Sequence, residues 1–270
     1  MPLYFTEKKK HWPPPKAVQY ILAIALLLIA IFALGAWLFI YFGNTTPQPE
    51  ETPQDGTVIS PEDLPNAGYC LVIVEDAGLE RFALVKTAPK SQQILVTALS
   101  ADTATNEGTL SDVLKKHGPS RAAQSIADTL NLPMVHYMSF SINDLETLFT
   151  RWGNSLPLSI PEEVSYKDEN GATIHLKAES RKLTSSQIAS LFRYNQWENS
   201  ENYDGLAADI VTAALNECLL PGKSLKGYFE LLSNTAVTDL RIDQFNAYVI
   251  GWEYLVAANQ GNVAQRGDTQ

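Results

Sequence analysis

The hydrophobic pattern of the chain falls into two regimes. From Ala17 to Phe42 the residues AVQYILAIALLLIAIFALGAWLFIYF run 26 positions without a charge, apolar on every helical face. A helix rising ~1.5 Å per residue would reach ~39 Å over that run, more than the ~30 Å hydrocarbon core of a bilayer. Tyr20 near one end, and Trp37 and Tyr41 near the other, stand where interfacial aromatic belts occur. The pattern predicts one transmembrane helix over 17–42. A cleaved signal peptide is the rival reading, but its apolar region would be shorter, roughly 7–15 residues, and followed by a small-x-small site. Here Trp37-Leu38-Phe39-Ile40 closes the run instead.

The second regime begins near Ala67, where apolar residues come in short runs between turn residues. Tyr69–Val74, Arg81–Lys86 and Gln93–Leu99 are rich in β-branched residues and predict three strands. The spacing then switches to helical over Thr109–His117, with Gly118 as a stop, and again over Arg121–Leu130. Met134–Phe140 predicts a strand. Asn143 is a candidate cap for a helix whose Leu145, Leu148, Phe149 and Trp152 share a face. Leu156–Ile160 reads as a strand, and Val164–Tyr166 and Thr173–Leu176 flank the hairpin signal Asn170-Gly171. Helices are expected over Thr184–Phe192 and Leu206–Leu219. An apolar element at Tyr228–Ser233, a brief strand around Val237 and a last helix from Asp243 to about Val256 follow. The apolar stripe of that last helix reads as core packing. Interleaved strands and helices imply an α/β fold, a three-layer α/β/α sandwich with a mixed central sheet.

Charge orients the two regimes. Lys8, Lys9, Lys10 and Lys16 precede the apolar run, and no Lys or Arg follows it until Arg81. The positive-inside bias holds the N-terminus in the cytoplasm and puts the remainder outside the plasma membrane. The expected organisation is a cytoplasmic head (1–16), the span (17–42), a Pro- and Thr-rich stalk (43–66), one folded domain (67–258) and a disordered tail (259–270). Beyond the span, in 43–270, 16 Lys+Arg stand against 29 Asp+Glu. So acidic a region argues against nucleic acid as a partner, and any phosphate site must be local. Cys70 and Cys218 form no C-x-x-C and read as two buried free thiols. The four histidines show no metal-ligand spacing.

Several strings, in order, resemble the LytR–CpsA–Psr (LCP) family of cell-envelope proteins. They are TLSDVLKKHG (109–118), VHYMSF (135–140), LFTRWGN (148–154), the hairpin YKDENGATIHL (166–176), LFR (191–193) and VTDL (237–240). The layout of head, span, stalk and one exported α/β domain is also similar. The resemblance implies chemistry on a polyprenyl-linked diphosphate, whose glycopolymer is moved to peptidoglycan or another envelope acceptor. It also implies acidic residues holding Mg²⁺, arginines gripping the diphosphate and an apolar groove for the prenyl chain. That division suits the chemistry, since Mg²⁺ takes hard oxygen ligands and arginine forks bind phosphate bidentately.

Carried over residue by residue, the resemblance assigns Asp102 and Arg193 to catalysis, Arg81 and Arg193 to ligand binding, and Asp102 and Asp204 to the metal. Departures stand beside these matches. Ser100-Ala101-Asp102 replaces a Pro-Arg-Asp, Asn195 stands where a second arginine is expected, and Gly205-Leu206-Ala207-Ala208 brings no cation. Gly153-Asn154 replaces a paired glycine, and no arginine occurs from Tyr194 to Leu240. Each charge-assisted hydrogen bond lost from a phosphate grip removes ~1.5–3 kcal/mol. The expectation is therefore a degenerate member with a binding or regulatory role in cell-wall glycopolymer assembly, its partner a polyprenyl-linked lipid or envelope glycopolymer. The alternatives are an active divergent phosphotransferase and a structural adhesion domain.

Overall fold

Strands with apolar residues on both sides bury both faces, and the first two predicted strands do so. In the computed structural model β1 (Gly68–Asp76) sends Leu71 and Ile73 to one face of the sheet and Val72 and Val74 to the other. β2 (Leu79–Ala88) divides in the same way, Phe82 and Leu84 against Ala83 and Val85. The structure describes residues 64, 66–76, 78–153, 155–168, 171–219, 225–259 and 263–267. The head, the predicted span 17–42 and nearly all of the stalk lie outside them. Among the described residues no helix is long and apolar enough to cross a membrane.

β1 and β2 pair antiparallel, and β2 pairs antiparallel with β3 (Gln93–Leu99). A two-residue hairpin, β4 (Ala104–Thr105) and β5 (Gly108–Thr109), leads into α1 (Leu110–His117) and α2 (Pro119–Leu130). Thr109 caps α1 by accepting from the Asp112 amide, and Gly118 ends it at a φ of +81°. Both helices cover the Leu71 face through Leu110, Val113, Ala122 and Ile126. The chain returns as β6 (His136–Ser141), parallel to β1. α3 (Ile142–Trp152) follows at once. Its cap is Ser141, in a reciprocal capping box with Asp144, and not Asn143, which lies within the helix.

Two small antiparallel pairs come next: β7 (Ser155–Ser159) with β10 (Ser180–Thr184), and β8 (Val164–Lys167) with β9 (Thr173–Leu176). The expected hairpin is therefore present, with Gly171 at a φ of +78°; Asn170 lies outside the described residues. α4 (Ser185–Arg193) starts from a second capping box, Thr184 with Gln187. α5 (Ser200–Cys218) begins earlier than its apolar pattern suggests. The element at Tyr228–Ser233 is a helix, α6 (Leu225–Thr235). β11 (Val237–Thr238) pairs antiparallel with β6, and α7 (Ile242–Asn259) follows. α3 to α7 all contribute to the core on the Val72 face. The fold is mixed α/β, with seven helices among the described residues and helices on both faces of a mixed sheet.

The chain past 259, expected as a disordered tail, contains a strand. β12 (Ala264–Arg266) pairs parallel with β3 and completes the sheet order β11-β6-β1-β2-β3-β12. Val263 and Ala264 are buried, and Asn216 on α5 both donates to and accepts from the Ala264 backbone. Burying one valine side chain contributes ~1.5–3 kcal/mol and a net hydrogen bond ~0.5–1.5 kcal/mol. Deleting 263–270 should therefore lower unfolding free energy by about 2–4 kcal/mol in urea denaturation of a 59–270 fragment. An unchanged midpoint would show that β12 is dispensable.

Candidate functional site

β1, β3, β6 and β12 run in one direction, so their C-terminal ends share one edge of the sheet. In open α/β sheets that edge is where ligands bind. It gathers Asp76 from the end of β1, Ser100 and Asp102 after β3, and Asn143 just after β6. α4 ends there at Arg193, and α5 begins there with Tyr203 and Asp204.

Arg81, near the start of β2, is buried at 2% exposure. Its Nη1 donates to the Tyr203 carbonyl at 2.6 Å, and its Nη2 to the carbonyls of Phe192 at 2.9 Å and Tyr194 at 3.0 Å. The guanidinium stacks 3.8 Å from the Tyr203 ring centroid. Burial pulls its pKa down to about 10, opposed by Tyr203 and Asp204, so it stays cationic at neutral pH. Arg193 donates through Nε to Asp76 at 3.0 Å and through Nη2 to Asn143 at 3.1 Å. Both arginines that the resemblance gave to the phosphates thus hold protein oxygens.

The two carboxylates assigned to a metal interact electrostatically. Burial raises the Asp204 pKa, Ser100 and Arg81 oppose it through a hydrogen bond and a charge, and Asp102 pushes it up further. Asp102 is exposed and Asp204 half-buried. No hydrogen bond or ion pair among the described residues joins Arg193 to either. Nor does any group of three or more His, Cys, Asp and Glu among them form a metal cluster. Two carboxylates with a hydroxyl beside them are still hard oxygen donors, the set Mg²⁺ accepts when phosphate oxygens or waters supply the rest.

A cavity of about 170 Å³ runs from this edge along the Val72 face, beneath α3, α5, α6 and α7. Phe192, whose carbonyl Arg81 holds, and Ala207, three residues past Asp204, line its near end. None of Arg81, Asp102, Arg193 and Asp204 lines it. The aromatic stripe of α7 serves both core and cavity: Phe245 stacks on Phe229 at 3.9 Å, and Trp252 meets Phe245 at 5.1 Å, all three lining the wall. His136 and Cys70 mark the far end. His136 Nδ1 lies 3.2 Å from Asp239, while burial, reinforced by Asp239, pushes the Cys70 thiol up to about 12.

Asp76, Asn143 and Tyr203 were not among the sequence candidates, and no local motif marks them. Arg266 was also missed, because it lies in the supposed tail. From β12 it donates to the Gly205 carbonyl at 3.1 Å and pairs with Asp209. A Cβ on Gly205 would fall 2.6 Å from the Arg266 guanidinium, so that glycine makes room for it.

No family model matches the sequence, and no curated protein does. Solved structures do match. A protein of Eubacterium siraeum described as a transcription regulator shares 16% identity, with a TM-score of 0.63 over 75% of this chain and 81% of that one. TagV of B. subtilis shares 13% identity, with a TM-score of 0.57 over 75% of this chain and 84% of that one. TagT, solved bound to LI-WTA, shares 10% identity, with a TM-score of 0.55 over 77% and 80%. The fold is LCP-like.

Two substitutions test the electrostatics. Arg81→Met keeps the bulk and strands three carbonyls, and should cost about 2–4 kcal/mol in chemical denaturation. A change below ~0.5 kcal/mol would mean the clamp is idle. An acid whose folded pKa exceeds its unfolded value loses native stability as pH rises from the unfolded value through the folded one. Asp204→Asn should therefore be more stable than the parent at pH 7 in EDTA, with the advantage fading toward pH 4. A pH-independent difference would refute that electrostatic origin.

Proposed function

We propose that this chain is a membrane-anchored, extracytoplasmic LCP-like protein that binds a polyprenyl-linked lipid during cell-wall glycopolymer assembly and acts as a binding or regulatory partner. One observation carries the reading. An apolar cavity abuts a polar edge whose two arginines are engaged with protein oxygens, Arg81 on three carbonyls and Arg193 on Asp76 and Asn143. Hydrophobic burial, ~25 cal/mol per Å², is available to a prenyl chain whatever the head group meets. Stabilising charge on a leaving phosphate needs donors aimed at it, and these donors point elsewhere. The complex of TagT with LI-WTA supports a lipid-linked ligand. Asp102 and Asp204 would hold Mg²⁺, which would offset their repulsion and bridge to phosphate oxygens.

The second reading, an active phosphotransferase with relocated cations, draws on Arg266. It brings a guanidinium to α5 one residue past Asp204, where the helix itself has none.

Calorimetry with a polyprenol and the matching polyprenyl diphosphate, with Mg²⁺ or EDTA, separates the two. A binding partner should hold both within about tenfold of each other, roughly 1.4 kcal/mol, with no release of polyprenyl phosphate. A preference of about 100-fold for the diphosphate, ~2.7 kcal/mol, with glycan transfer would establish the enzyme. Binding of neither lipid would overturn both.

A further inference from the structure

The two arginines of the polar edge are held in different ways. Arg81 is buried, and its guanidinium is committed to three main-chain carbonyls. Arg193 has a side chain 35% exposed, and its partners are two side chains, Asp76 at 29% and the exposed Asn143. Its Nε donates to Asp76 and its Nη2 to Asn143, while Nη1 meets no acceptor in hydrogen-bond range among the described residues. A side chain can rotate away where a carbonyl within a turn cannot. An ion pair this open to water also holds weakly.

Position gives that weak pair a consequence. Asp76 is the last residue of β1, Asn143 lies in the first turn of α3 and Arg193 is the last residue of α4. The three elements meet where the strand C-termini converge. The end of α4 favours a cation at Arg193 whether or not Asp76 is charged. The nearby carboxylates of Glu75 and Asp144 are occupied elsewhere, accepting from Ser139 and Ser141. Asp76 thus supplies from within the chain the negative charge that an anionic head group would bring from outside.

We propose that Asp76 is a latch on a latent anion position: it neutralises Arg193 and so keeps the polar edge from gripping a diphosphate ester. The ligand class rests on the lipid-binding reading; the latch rests on the geometry of Asp76, Asn143 and Arg193 alone. A diphosphate that took Arg193 would break the ion pair and leave the displaced carboxylate, still charged, beside it. Asparagine in place of Asp76 keeps an oxygen for Nε and removes that repulsion. Discrimination against a charged head group is then set in part by one carboxylate, and is reversible.

The test is calorimetry on the full chain in detergent with EDTA, comparing the parent with Asp76→Asn, Arg193→Met and the double variant. Inorganic diphosphate, which needs no cavity, is titrated beside a polyprenyl diphosphate and its neutral polyprenol. Asp76→Asn should bind inorganic diphosphate at least about fivefold more tightly than the parent, a gain that shrinks in high salt and is absent from the double variant. Polyprenyl diphosphate should gain by a similar factor, while polyprenol stays within about twofold of the parent. Asp76→Ser repeats the comparison with a smaller uncharged side chain, and urea unfolding checks that each variant is folded. No gain for either diphosphate in the folded variants overturns the latch, while polyprenol binding leaves the lipid-binding reading standing. An equal gain in the Arg193→Met background also overturns it, since Asp76 would then act only as bulk charge. A gain for inorganic diphosphate with no lipid bound by any variant would keep the latch and overturn the lipid-binding reading.

Discussion

A single buried cation ties the sheet to the helices that form the polar edge. Arg81 leaves β2, enters the core and donates to carbonyls on both sides of the turn between α4 and α5. A helix C-terminus carries unpaired carbonyls and partial negative charge, and a guanidinium satisfies both. Desolvating that cation is costly, which its lowered pKa records. Several carbonyls and the Tyr203 ring offset the cost, whereas removing the guanidinium alone would leave them unmatched in the interior. Where α5 begins, and with it where Asp204 sits, depends on this contact.

Strand direction does the rest. Because β1, β3 and β6 run the same way, polar groups collect at one end of the sheet and the cavity extends toward the other along uninterrupted apolar positions. The two ends differ in chemistry as well as place. At the near end, carboxylates and guanidiniums neutralise one another. At the far end, burial keeps Cys70 protonated, an inert thiol rather than a nucleophile.

What could be read in advance follows from what period and caps encode. β1 to β3 were legible as short β-branched runs between turn residues, and β1 and β2 are buried on both faces. α1, α3 and α4 were legible from apolar spacing, although Ser141 rather than the expected Asn143 performs the capping of α3. β10 was missed because Ser180-Arg181-Lys182 is polar; it is held by pairing with β7, a partner the local sequence does not reveal. β12 has three residues and gains its place from β3 and Asn216, both distant in the chain. Of the site, the candidate positions were legible only through the family resemblance. The partners that change their meaning, Asp76 and Asn143 for Arg193 and three carbonyls for Arg81, were not. A side chain's ligand is a tertiary fact.

Charge at the polar edge limits what it accepts. Asp76, Asp102 and Asp204 stand against Arg81 and Arg193, and each arginine is already engaged. A bare diphosphate would add negative charge beside an aspartate whose pKa is raised by burial and by a neighbouring carboxylate. Its repulsion falls only if a divalent cation comes between Asp102, Asp204 and the phosphate oxygens, turning like charges into shared ligands. Cation and diphosphate would then enter as a coupled pair, each weak alone. A neutral lipid head escapes that requirement, and for it the cavity alone sets affinity. On the proposed lipid-binding reading, engaging both arginines with protein oxygens would shift selection from the head group to the hydrocarbon chain.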